Sequence, residues 1–421
     1  MKRSTVVMIA LLVLLVSAPA YIAVAQNQAT VVFGSWRTED RERMDRINQV
    51  FQDKNPNIKI AFSPTKNTEY DAQLQSSMAA GTGPDVMMVR SYDGGRVLFD
   101  AGYLAVLNTL VPEIGNIPRT AVSAWSTEDG KHYGVPIIGV THGVFYNKDT
   151  FDKYGLKEPA TWSEFIALCQ TLKDKGETVI AQGIKEPWSL YEVVYSGLGP
   201  NFYGGEKSRQ KLIRGEMKLT DKPFVDAFAA VKQLVPFFAQ GYQGLNYVDR
   251  QQLFVSGKAA MYIGGSWELG PFKDMGMDFN LGWFPPPVVK AGDKLQYCFH
   301  VDSGLGLNAK SKVKKETITY LRWTAGPEFA QLLMNELPGL YSFTPGDYTF
   351  SNPVAKRILD TAKTSDLTVR TVWEKLSAKN PTGNLSMWDA LFKLCNGDYT
   401  PAQAAAYVQS QVATWYKPFQ K

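Results

Sequence analysis

The sequence predicts an α/β protein built as two lobes, and three observations predict it. The chain has 421 residues, more than the ~250–300 at which single hydrophobic cores stop growing. Short apolar strands alternate with amphipathic helices along it, the order that builds a parallel, doubly wound sheet. Hydrophobic content of 45% and charged content of 20% are ordinary for a globular chain.

Residues 1–25 stand apart from that fold. Lys2 and Arg3 precede an apolar run from Val6 to Val16, and small-x-small sites follow at Ala18–Ala20 and Ala23–Ala25. This is the pattern of a secretory signal peptide cleaved after Ala25. The run is too short to span a bilayer, which takes ~20 apolar residues. No Cys sits at the cleavage point, so a lipid anchor is not expected.

The alternation then begins. "ATVVFGSW" reads as a strand. The next segment places Met44, Ile47, Val50 and Phe51 on one helical face, and Asn55-Pro56 stops it. "NIKIAFSP" is a second strand, Tyr70, Leu74 and Met78 mark a second helix, and "DVMMV" is a third strand. Asp85, before it, is expected to hold a turn through backbone hydrogen bonds. Thr161 and Glu164 form a capping box for a helix that ends at Gly176, and Thr400 caps a closing helix with Pro401 in its first turn.

Composition narrows the chemistry. The net charge is +5, and Lys2 and Arg3 account for two of it, leaving +3 for the mature chain without a basic cluster. No nucleic-acid role is expected. There are three histidines, His132, His142 and His300, and no HExxH, paired-Cys zinc spacing, GxSxG or GxxxxGK[ST] motif. Neither a metal nor a cofactor nor an enzyme is expected. Gly304-Leu-Gly306 lacks the third glycine of a dinucleotide fingerprint and reads as a turn. Of three cysteines, Cys169 reads as core filler, and a bond between Cys298 and Cys395 stays open.

What remains is a series of aromatic residues at element ends beside charged ones: Trp36-Arg37, Arg90 with Tyr92-Asp93, Glu186 with Trp188, Trp267-Glu268, His300 with Asp302, and Trp388. In α/β folds ligands bind where strand-end loops converge. An indole plane suits the C–H face of a pyranose, and Arg, Asp and Glu suit the hydroxyls on its edge. Gly264-Gly265 is expected to let the chain turn sharply and present Trp267 to a cleft. Trp125, Trp162, Trp283, Trp323, Trp373 and Trp415 read as packing residues.

Five segments carry a family resemblance: "FQDKNPNIKI", "LQSSMAAGTGPDVMMV", "YGVPIIGVTHGVFYNKDTFDKYGLKEPATWSEF", "FVSGKAAMYIGGSWEL" and "SGLGLNAKSKVKKETITYLRW". Together they resemble the extracellular solute-binding proteins of bacterial ABC importers, in the carbohydrate-binding group that includes maltose-binding protein. The resemblance implies a periplasmic-binding-protein fold, with a parallel-type sheet in each lobe and a multi-strand hinge. The lobes would comprise residues 26–140 with 301–347, and 141–300 with 348–421. It implies a monomeric, periplasmic binder of a di- or oligosaccharide that delivers its cargo to permease subunits in the inner membrane.

By resemblance, Trp267, Trp188 with Glu186, and Trp388 stack on sugar rings, and Glu268 adjoins them. Trp36, Arg37, Arg90, Tyr92 and Asp93 supply strand-end contacts, His142, His300 and Asp302 lie on the crossovers, and Tyr341 lies near the third. Where the maltose binder has a cleft acid, this chain has Val140, Thr141 and His142, which speaks against maltose itself. Two other readings stand beside this one. A cargo of glycerol phosphodiesters, polyols or another polar solute would suit Arg37 and Arg90 if they converge. A glycosidase would use a pair such as Glu186 and Asp302.

Overall fold

The computed structural model describes residues 28–420; the expected signal peptide lies outside them. The strands are β1 (Ala29–Ser35), β2 (Ile58–Pro64), β3 (Val86–Arg90), β4 (Val135–Asn147), β5 (Met261–Gly265), β6 (Leu281–Phe284), β7 (Gln296–Leu307) and β8 (Asp366–Thr368). β1 lies between β2 and β3 and is parallel to both. The helix Arg41–Lys54 joins β1 to β2 and buries Met44, Ile47 and Phe51. The helix Asn67–Ala80 buries Tyr70, Leu74 and Met78, then ends on Gly81 in the left-handed conformation that relieves its last carbonyls. Asp85 accepts hydrogen bonds from Val32 N–H and the Ser311 hydroxyl, and so ties the start of β3 to β1 and to a later loop.

The sheet runs β2-β1-β3-β7-β4-β5, with β6 also on β4 and β8 on β7. It is mixed, not parallel in both halves. β4 is antiparallel to β5, β6 and β7, and β7 is antiparallel to β3. The reason is topological. β4 and β7 are long strands that travel in opposite directions between the two halves of the molecule. From Val135 to Thr141, β4 pairs with β7; from His142 to Asn147 it pairs with β5 and β6. The last residues of β7 pair with β3 and its first three with β8. Every residue of β4 is buried. A third stretch of chain joins this crossing at Tyr341, whose backbone exchanges hydrogen bonds of 2.7 and 3.0 Å with Gly139.

Gly304-Leu-Gly306 is not a turn. Both glycines lie inside β7. Gly304 is required by space: a Cβ there would come within 2.7 Å of the Trp125 ring and 3.0 Å of the Val135 carbonyl oxygen. The expected capping box forms at Thr161 with Glu164, and Thr400 caps its helix as expected, there completing a box with Gln403. Cys169, Cys298 and Cys395 are all free and buried, and burial pushes the Cys298 and Cys395 thiols up to about 12. Among the described residues no helix is long and apolar enough to cross a membrane.

Trp125 is fully buried and its indole N–H donates to the Val89 and Arg90 carbonyls, so it cannot retreat. Gly304→Ala should therefore destabilise the fold by about 1–3 kcal/mol through overpacking, read as a lower urea midpoint at unchanged slope.

Candidate functional site

Two adjoining cavities of about 350 and 630 Å³ open between the two halves of the sheet. They share a floor of Arg90, Glu192, Asp302 and Arg370, with Glu186 and Trp188 on a common wall. The first chamber is closed by Trp36, Arg37, Tyr247 and Trp267. The second is closed by Asp93, His300, Trp373, Glu374 and Trp388. Trp36 follows β1, Arg90 ends β3 and Trp267 follows β5, so the cleft lies at strand carboxyl ends, as strand-end geometry in α/β sheets favours.

Trp267 explains Gly265, though not by a turn, while Gly264 makes room for the Tyr262 ring, which a Cβ there would approach to 2.6 Å. Gly265 has ordinary extended backbone, with φ −85° and ψ 159°. A Cβ on it would fall 2.1 Å from the Trp267 ring, so the glycine is there because the indole folds back over the strand end. The ring is 9% exposed, packs edge-to-face on His142 at 5.6 Å, and donates its N–H to the Tyr247 hydroxyl at 3.2 Å. Tyr247 in turn donates to Glu268 at 3.0 Å. Glu268 also accepts from Gln251 (2.6 Å) and Tyr262 (2.9 Å) and is fully buried. It stands behind the wall, holding the aromatic residues that face the cavity. Burial raises its pKa, against the pull of Arg250 and the three donors.

Trp188 is half-buried between the chambers, with Tyr247 edge-on at 5.3 Å and the Arg250 guanidinium 5.6 Å from its ring. One Glu186 oxygen accepts the Tyr247 backbone N–H at 2.6 Å. Trp36 is 5% exposed, and the Arg90 guanidinium lies 4.0 Å over its ring, so part of its face is already taken. Arg90 also donates to Asn67 (2.6 Å) and to Asp71 (3.3 Å). Arg37 is bound bidentately by Asp40 and lies 3.4 Å from Glu39; these carboxylates hold its pKa above the usual arginine value despite burial.

Four of the expected residues lie away from the cavity walls: Glu268, already described, and Tyr341, His142 and Tyr92. Tyr341 is buried, with its hydroxyl donating to the Ala355 carbonyl at 2.8 Å. His142 is buried behind Trp267. Tyr92 sits at the end of β3 with a strained backbone, φ 57° and ψ −129°, and its ring lies 6.4 Å from His300. His142 and His300 are kept neutral by burial and by the nearby charge of Arg370.

The structure adds residues that the pattern of the sequence did not single out. Arg370 is 4% exposed; it bonds Glu192 at 2.9 Å and lies 4.0 Å from Asp302. Glu192 is carried by a π-helix, Ser189–Tyr195, the wide-turn geometry frequent at functional sites. Its place in the apolar run "SLYEVVY" was the available signal, since a carboxylate there needs a partner. Trp373, expected to be packing, lines the second chamber beside Arg370, 5.1 Å from its guanidinium. Among the described residues no cluster of potential metal ligands occurs.

The model of the family described as bacterial extracellular solute-binding protein matches residues 35–331. The chain is 28% identical over 266 residues to an uncharacterized ABC transporter extracellular-binding protein of Pyrococcus horikoshii, covering 62% of this chain and 61% of that one. It is 25% identical over 311 residues to the multiple sugar-binding protein of Streptococcus mutans, covering 71% of each. The fold superposes on a solved chitin oligosaccharide binding protein with a TM-score of 0.78 at 21% identity, over 93% of this chain and 100% of that one.

Asp93 offers a test of the second chamber. Burial and the nearby Glu374 raise its pKa from 3.8 to about 6, and Arg96 only partly offsets them. The folded chain thus holds a proton at Asp93 that the unfolded chain releases, and stability is lost as pH rises from about 4 through about 6. Asp93→Asn should melt above the wild type at pH 7.5, and the gap should close toward pH 4. An equal gap at both pH values would disprove the assignment.

Proposed function

The chain belongs to the bacterial extracellular solute-binding protein family, and from that footing we propose that it binds a neutral di- or oligosaccharide in the interlobe cleft and delivers it to an ABC permease. The observation that carries this reading is the pair of aromatic-walled chambers over one charged floor. Trp188 and Trp267 flank the first, Trp373 and Trp388 the second. Stacked rings in both, with edge hydroxyls toward the carboxylates and guanidinium groups, is the arrangement that pyranose units call for. The names of the relatives, a multiple sugar-binding protein among them, support the same class.

The charges support a neutral cargo. Arg37 and Arg90 do not form an open anion clamp: Arg37 is held by Asp40 and Glu39, Arg90 by Asp71 and Asn67. Glu186 is spoken for by a backbone N–H and Asp302 neighbours Arg370, which fits a wall that holds a ligand better than a free acid–base pair. We assign one lobe to residues 26–140 and 301–347 and the other to 141–300 and 348–421, with closure about the β4–β7 crossing and a periplasmic location. A ligand that touches both lobes then shifts the open–closed equilibrium by its differential affinity.

The mature protein, residues 26–421, is expected to melt several degrees higher with one group of di- or trisaccharides recovered unchanged. A flat panel, with no sugar released on denaturation, would count against the carbohydrate reading. Trp267→Ala should bind that ligand at least ~10-fold more weakly by calorimetry while still melting cooperatively, and Trp267→Phe should recover part of the loss. Unchanged affinity in Trp267→Ala would remove it from the site.

A further inference from the structure

The floor shared by both chambers is a cluster of four charges. Arg370 contributes from the segment before Trp373, Glu192 from the π-helix, Asp302 from β7 and Arg90 from the end of β3. A guanidinium as buried as that of Arg370 needs compensation. Glu192 gives it a bond of 2.9 Å and Asp302 a second carboxylate at 4.0 Å. The Arg370 Nε–H is buried and has no partner. Arg90 is close enough for its charge to act on both Glu192 and Asp302, while its own bonds go to Asp71 and Asn67. The neighbouring imidazoles, His142 and His300, contribute no charge. Two cations and two anions therefore meet at the point where a ligand would pass from one chamber to the other.

We propose that Glu192 and Asp302 determine the charge class of the cargo: by neutralising Arg370 they admit neutral saccharides and turn away saccharides bearing a carboxylate or phosphate at the junction. The inference rests on the carbohydrate reading above. A uronate at the junction would meet two like charges across a few ångströms of poorly hydrated space, where repulsion is far stronger than in water. With either carboxylate neutralised, Arg370 would be left with an unmet charge and a free Nε–H, and its planar fork would suit an incoming carboxylate. Selection against acidic sugars would thus come from a repulsive element, which specificity commonly requires.

The test compares cellobiose, maltose and lactose with cellobiouronate, digalacturonate and glucose 6-phosphate by calorimetry on the full mature chain. The wild type should favour the best neutral compound by at least ~10-fold over every acidic one. Glu192→Gln should shrink that ratio at least ~10-fold, and its gained affinity for the acidic compound should fall as salt rises. Because Glu192 lines both chambers, the ratio is the readout, not the neutral affinity alone. If Glu192→Gln does not fold, Asp302→Asn, which lies farther from the guanidinium and is more exposed, carries the same expectation. Equal wild-type binding of neutral and acidic compounds, or a ratio unmoved in the folded variant, overturns the charge assignment and leaves the carbohydrate reading standing. No binding of any compound by the wild type, with no sugar released on denaturation, overturns both.

Discussion

The pairing of β4 with β7 is the contact on which the cleft depends. Both strands run through both halves of the sheet, so each fixes residues in two places at once. β7 positions His300 and Asp302 near the middle of its length and pairs Ser303–Leu307 with β3, whose last residue is Arg90. β4 pairs His142 with Gly265, the residue over which Trp267 folds. The floor and one wall of the site are therefore set by the register of a single antiparallel pair. That register is irregular between Pro136 and Gly139. Proline offers no N–H to the ladder there, and Gly139 turns instead to Tyr341. The crossing is thus held at its bulge by a third passage of chain.

The local features of the sequence predicted the fold well because they are themselves local physics. Periodicity marked the helical faces of Met44, Ile47 and Phe51 and of Tyr70, Leu74 and Met78; capping chemistry marked Thr161 and Thr400. The direction of β4 and β7 was not legible, since nothing in a strand's own residues says which neighbour it will meet. The aromatic residues at strand ends pointed to loops that line the two cavities. They did not say which side chain of each loop would face the cavity. Trp267 and Glu268 are neighbours on a tight three-residue helical turn after β5, where successive side chains point about 120° apart, and Glu268 and His142 went behind the wall while Trp267 stayed on it. Arg370 was invisible for another reason: its partners Glu192 and Asp302 come from remote parts of the chain, so only the folded structure brings the charge to its compensation.

The wall of the first chamber shows how an aromatic surface is kept rigid without being filled by protein. Trp267 rests on bare backbone at Gly265, its N–H is tied to Tyr247, and Tyr247 is tied to Glu268. Behind Trp188 and Tyr247 lies Arg250, within 5.6 and 5.3 Å of their rings. Trp267 and Tyr247 thus have their polar edges fixed from behind, and Trp188 is backed by the Arg250 guanidinium. A ring pre-set in this way loses little side-chain freedom when a ligand stacks on it, which favours affinity without added contact area.

The two halves of the molecule are also joined away from the floor, at Arg43. This arginine, on the helix after β1, reaches the Gly270 carbonyl and Asp274 on the helix after Trp267, and the Glu336 carbonyl as well. It therefore links the strand-end loop of Trp36 to the element that carries Trp267, on opposite sides of the first chamber. At the cleft, by contrast, Val97, Val248 and Leu385 are exposed apolar side chains lining the cavities. Polar ties near the first chamber and bare apolar surface along both chambers act in different ways. A directional bond such as Arg43 to Asp274 holds one geometry, whereas apolar surface gains only as it is covered. On the proposed reading, the drive to cover that surface depends on how far the cleft is closed, and a ligand held between its two sides would add to it.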